Sequence, residues 1–130
     1  VERESGQGET DRPMIAGVFM NRLKKGMLLQ SDITVNYAWQ RTGVDVSYSH
    51  LEIDSRYNTY KYTGLPVGPI STVPITTMEA CINYKKHDYV YFFAKKDAKD
   101  KSKTVVVYTK TYKEHMQKVK ETKDAGLWLD

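Results

Sequence analysis

Apolar residues recur at helical spacing from Met14 through Ile15, Val18 and Phe19 to Leu23, which predicts an amphipathic helix. Asp11 reads as its N-cap, Pro13 falls in its first turn, and Gly26 is its natural stop. The stripe has the character of core. Upstream, Val1 to about Gly6 reads as the end of a helix closed by Gly6 and Gly8. A further helix is predicted from Ile33 to about Gln40, whereas residues 42–55 are mixed and predict no element. Thr76-Thr77-Met78-Glu79 has the capping-box pattern and predicts a helix to about Lys86. Tyr89 to Ala94 then reads as a buried strand and Thr104 to Thr109 as its β-branched partner. The charged turn from Lys95 to Lys103 joins them in a hairpin, and Thr111 to about Lys123 forms a last helix bearing Tyr112, Met116 and Val119. The order predicts an α+β fold with helix in excess, ending in a C-terminal β-hairpin and a final helix.

Composition narrows the class. At 130 residues, with 40% hydrophobic and 28% charged positions, the chain is most simply one domain with a real core. Its net charge of +4 comes largely from lysines between Lys95 and Lys123 and favours an anionic partner, but no nucleic-acid motif accompanies it. A single cysteine, Cys81, excludes an internal disulfide and reads as a buried structural thiol in its helix. His50, His87 and His115 lack metal-ligand spacing, so no metal and no cofactor are expected. Neither a run of transmembrane length nor a signal peptide is visible, and the opening Val1-Glu2-Arg3-Glu4 reads as part of something longer.

The richest chemistry lies in Tyr57-Asn58-Thr59-Tyr60, followed by Gly64-Leu65-Pro66-Val67-Gly68-Pro69-Ile70. Two glycines and two prolines make an ordered, irregular loop rather than a regular element. Aromatic faces beside amide and hydroxyl groups suit a sugar better than a phosphate. Packing within a structural loop would use the same residues. Candidate carboxyl groups are Glu2, Glu4, Asp32 and Asp54, and Asp32 could equally cap the helix that follows it.

Taken in order, Glu4-Ser5, Val18-Phe19-Met20-Asn21-Arg22-Leu23, Gly26-Met27-Leu28-Leu29-Gln30-Ser31-Asp32, Tyr57-Asn58-Thr59-Tyr60 and Gly64 to Ile70 resemble the catalytic domain of the YceG-like (MltG) endolytic murein transglycosylases. The resemblance runs from Val1 to about Lys118. It implies a helix-rich lytic-transglycosylase-like domain that cleaves peptidoglycan glycan strands between N-acetylmuramic acid and N-acetylglucosamine, leaving 1,6-anhydro ends. It further implies a membrane anchor and a LysM-like region upstream, and action at the extracytoplasmic face of the cytoplasmic membrane. Membrane contact would then run only through a segment absent from this chain. Partners would be the glycan strands and the cell-wall synthesis machinery, without nucleic acid.

Glu4, followed by the small Ser5, matches the family's catalytic glutamate, and Glu2 is the weaker match. Ser5, Gln30, Ser31, Asp32, Tyr57, Asn58, Thr59 and Tyr60 are the expected substrate-binding set, with Asn58 set against an N-acetyl group and Asn21-Arg22 as a brace. Such an acid must be protonated near neutral pH, which requires an apolar, partly desolvated pocket. Two departures stand out: Val106-Val107-Tyr108 lacks a histidine that relatives often carry, and Val73-Pro74 replaces an Asn-Pro pair. The alternatives are a peptidoglycan-binding module without turnover and a muramidase-type hydrolase using Glu4 and Asp32. A catalytic residue four positions from a chain end would fray, so weak activity is expected of this piece without upstream sequence.

Overall fold

The computed structural model describes residues 1–5, 11–42 and 50–129, with the side chains of 41, 42 and 50 left aside. The expected closure of the first helix at Gly6 and Gly8 lies outside the described residues, as do residues 43–49 of the unassigned segment 42–55. Helices α1 (Glu2–Ser5), α2 (Arg12–Lys25) and α3 (Asp32–Thr42) are followed by a 3₁₀ turn at His50–Glu52 and by α4 (Ile75–Ile82). Strands β1 (Tyr91–Lys96) and β2 (Thr104–Thr109) and helix α5 (Tyr112–Asp124) complete the α+β order. The chain divides into two compact units, residues 1–85 and 86–130.

In the first unit α2 forms where the apolar spacing places it. Ile15, Ala16 and Val18 are buried and join Leu29, Val35 and Ala38 in the core. Asp11 occupies the N-cap, although its side chain makes no capping bond. The helix stops at Gly26, whose φ of 68° is left-handed and lets the Met27 N–H reach back to the Arg22 carbonyl at 2.9 Å. Helix α4 departs from expectation. Pro74, in extended conformation, stands at its N-cap without a side-chain bond, and the helix ends at Ile82. Thr76 and Thr77 are drawn away from the expected capping box: Thr76 accepts from Arg12 at 3.3 Å, and Thr77 donates to Glu2. The buried face of α4 therefore carries Thr77, while Ile75, Met78, Cys81 and Ile82 are exposed. Cys81 is not the buried thiol that the helical pattern suggested.

In the second unit β1 and β2 pair antiparallel, with Tyr91 opposite Thr109 and Lys96 opposite Thr104. The hairpin has the predicted place, but β1 is half-buried rather than fully buried. Helix α5 is capped by Thr111, which accepts from the Glu114 N–H at 3.1 Å. Its packed face runs through His115, Val119 and Thr122, while Tyr112 and Met116 are exposed, so the apolar stripe is rotated from the expected one. After α5, the Lys96 N–H donates to Leu127 at 2.8 Å, and Phe93 lies 5.7 Å from the ring of Trp128.

Candidate active site

Within the first unit, α1, α2, α3 and the loop after Tyr60 enclose a cleft of about 350 Å³. That volume is in the range of small-ligand sites. Its walls are mostly apolar: Phe19 from α2, Leu29 and Ile33 around the start of α3, and Leu65, Pro66, Gly68, Pro69 and Ile70 from the Gly/Pro loop. Glu4, Ser31 and Thr34 bring the polar side chains.

The two carboxylates of α1 part company. Glu2 receives the Thr77 hydroxyl and lies 3.9 Å from the Arg12 guanidinium, so it ties α1 to α2 and α4. Glu4 turns into the cleft and accepts the Ser31 hydroxyl on Oε1 at 2.9 Å. Burial pushes the Glu4 carboxyl above its ordinary value; the Ser31 hydrogen bond opposes the rise, and the nearby negative Asp32 adds to it.

Ser31 owes its place to both neighbouring segments. Arg22 is buried and donates to the carbonyls of Leu28 at 2.8 Å and Leu29 at 3.4 Å, holding the approach to α3. Gln30 adopts a left-handed φ of 51°, and its N–H donates to the Thr59 carbonyl at 3.1 Å. Only then does the chain enter α3, where Asp32 occupies the first helical position rather than the cap. Its carboxylate accepts the Tyr60 hydroxyl. Burial, then Asp32 as acceptor and as negative charge, raises the Tyr60 phenol so that it stays a donor.

The remaining expected residues have structural partners. Ser5 turns back to the Glu2 carbonyl at 3.2 Å and does not line the cleft. Tyr57 packs against Tyr37 with ring centroids 4.8 Å apart, beneath Gly68. A Cβ on Gly68 would fall 3.0 Å from the Tyr57 hydroxyl, so this glycine permits a close approach of loop to ring. Asn58 is fully buried: its amide donates to Leu51 at 3.0 Å and Ile53 at 2.9 Å, and its oxygen accepts from the Tyr60 N–H at 2.9 Å. It has no exposed atom to meet an N-acetyl group. The reason is the turn itself, whose main-chain groups need internal partners once buried. Thr59 is also buried and faces Ser31 and Thr34. Thr34 carries no motif signal, because a single threonine in an apolar helix resembles any other core position.

Residues 1–121 match the model of the YceG-like family. The chain belongs to the YceG-like family. It is 49% identical over 121 residues to a Bacillus subtilis protein named endolytic murein transglycosylase, covering 93% of this chain and 31% of that protein. A Streptococcus pneumoniae protein of the same name is 38% identical over 126 residues, with 93% and 22% covered. The crystal structure of a yceG-like protein from Listeria monocytogenes matches with a TM-score of 0.72 at 45% identity, covering 89% of this chain and 35% of that one. The chain thus spans about a third or less of these relatives. Among the described residues no helix is long and apolar enough to cross a membrane, and no cluster of three or more metal-ligating side chains occurs.

Proposed function

We propose that this chain is a catalytic domain of an endolytic peptidoglycan lytic transglycosylase, with Glu4 as general acid and then general base. The observation that carries this reading is the Glu4 carboxyl, held in an apolar cleft by one hydroxyl donor and displaced toward its protonated form. The names of the relatives support the substrate class.

In the proposed reaction, protonated Glu4 gives its proton to the glycosidic oxygen as the bond from muramic C1 breaks. The carboxylate then removes the proton of the muramic 6-hydroxyl, and O6 closes on C1 to form the 1,6-anhydro ring. One residue serves twice and no water is consumed. Because Ser31 donates to Oε1, the dissociable proton belongs on Oε2. Asp32, engaged by Tyr60, orients the site rather than activating water. Gln30 is exposed just before α3 and Tyr60 is half-buried, which leaves both able to meet a sugar hydroxyl. The site of action is the cell wall outside the cytoplasm, alongside the synthetic machinery that supplies new strands.

Mass spectrometry of peptidoglycan digested by the protein, beside Glu4→Gln and Asp32→Asn, tests this. Anhydro ends that vanish in Glu4→Gln but persist at reduced rate in Asp32→Asn are expected. Reducing ends that vanish with either substitution would transfer the reading to a hydrolase. Retention of glycan without any release would leave a binding module.

A further inference from the structure

Ser31 is gripped on both of its main-chain groups. Its N–H donates to Thr59 Oγ1 at 2.9 Å, and its carbonyl accepts from Thr34 Oγ1 at 2.8 Å. The two threonine hydroxyls lie 2.9 Å apart and are buried. The Ser31 carbonyl also accepts the Thr34 N–H at 3.2 Å and lies 3.4 Å from Thr59 Oγ1. The Thr34 hydroxyl makes the shorter bond to it, 2.8 Å against 3.4 Å, which favours the arrangement in which Thr34 donates to the carbonyl and Thr59 donates to Thr34. The result is a closed ring of hydrogen bonds that begins and ends on the main chain of Ser31. The Thr59 N–H at 3.4 Å from Thr34 Oγ1 adds a further donor.

We propose that Thr34 and Thr59 are positioning residues whose paired hydroxyls clamp Ser31, and thereby hold the Ser31 hydroxyl on Oε1 of Glu4. This rests on the reading of Glu4 as the acid, and assigns to Thr59 a part other than lining the saccharide cleft. The clamp decides which carboxyl oxygen keeps the proton. With Ser31 fixed, Oε1 is the accepting oxygen and Oε2 delivers; with Ser31 free to turn, the two oxygens become interchangeable and the proton is aimed less often. Left-handed Gln30 immediately before Ser31 makes the clamp necessary, because that backbone would otherwise relax. The titratable side chains facing Glu4 are Asp32 from α3 and the Tyr60 phenol, which senses the Glu4 charge. The clamp itself is uncharged, so its removal acts through Ser31 rather than by changing the field.

Thr34→Val keeps the shape and removes the hydroxyl, and Thr34→Ser restores it. The test is a carbon-13 NMR titration of the glutamate carboxyls, with the Glu4 signal assigned by its loss in Glu4→Gln, combined with kcat and KM on peptidoglycan. Since the Ser31 bond favours the carboxylate, Thr34→Val and Ser31→Ala should both move the Glu4 titration, and the alkaline limb of activity, to higher pH. The kcat of Thr34→Val should fall about tenfold with KM within about twofold, and Thr34→Ser should match wild type. A Glu4 titration that moves in Ser31→Ala but stays put in Thr34→Val would overturn the clamp, as would a Thr34→Ser protein as impaired as Thr34→Val. The NMR arm reads the clamp even if no glycan is cleaved, so failure of the proposed reaction would be seen separately.

Discussion

At the residue scale the chain separates chemically identical groups by what surrounds them. Glu2 and Glu4 are two positions apart on one short helix, yet Glu2 is tied to Thr77 and Arg12 while Glu4 faces an apolar cleft. The raised Glu4 carboxyl has a consequence for stability. Its folded value exceeds its unfolded one, so the folded state binds more protons. Below the unfolded value there is no cost; stability falls as pH rises between the two values, and the cost is full above the folded one. Glu4→Gln should therefore be more thermostable than wild type at neutral pH, with the gain vanishing in acid. Thermal melts of both proteins across pH check this, and a gain that persists unchanged in acid would contradict it. Arg22 makes the opposite case, because its buried donors serve the Leu28 and Leu29 carbonyls. Arg22→Met should destabilise by about 2–3 kcal/mol in urea denaturation, through carbonyls left without their charged donor.

Elements show what the sequence could and could not reveal. Helix α2 was legible because Ile15 and Val18 recur at helical spacing and Gly26 supplies a stop that only a left-handed residue fits well. The hairpin was legible from two β-branched and aromatic runs around a charged turn. Helix α4 misled, since its apolar residues face outward while a polar one, Thr77, faces the core to meet Glu2. No local pattern announces a hydrogen bond across 75 positions. The clamp on Ser31 escaped for the same reason: Thr34 and Thr59 are 25 positions apart, Thr59 stood out only as a cleft residue and Thr34 not at all. Asn58 was visible as important but not as a brace, because an amide that closes a turn and one that greets a ligand are the same residue type. Two glycines contrast instructively. Gly26→Ala meets no atom within 4 Å and should cost only the left-handed backbone, about 1 kcal/mol. At Gly68 the φ is not left-handed, but the new methyl meets Tyr57 at 3.0 Å. Gly68→Ala should cost about 1–3 kcal/mol by crowding and should also reshape the cleft wall. Comparing denaturant midpoints with glycan turnover for both variants checks this: Gly26→Ala should lose stability alone.

For the whole molecule, charge and chemistry fall on different stretches of chain. Residues 1–85 hold the cleft and are electrically balanced, so the net charge of +4 falls on residues 86–130. Charges of one sign on a surface raise the local concentration of an anionic polymer in a salt-dependent way. Co-sedimentation with insoluble peptidoglycan should therefore weaken as salt rises. Replacing Lys99, Lys101 and Lys103 by Gln, which takes the net charge from +4 to +1, should flatten that dependence while leaving the anhydro character of any product unchanged. Sedimentation that ignores salt in both proteins would show that this charge plays no part in glycan binding.

In the proposed reaction one carboxyl group, Glu4, serves as acid and base in succession and no water enters the product. Digestion of peptidoglycan in oxygen-18-labelled water, followed by mass spectrometry of the new muramic ends, tests it most directly. Anhydro ends free of the label are expected, with none formed by Glu4→Gln. Labelled reducing ends would contradict this reaction and make water the nucleophile.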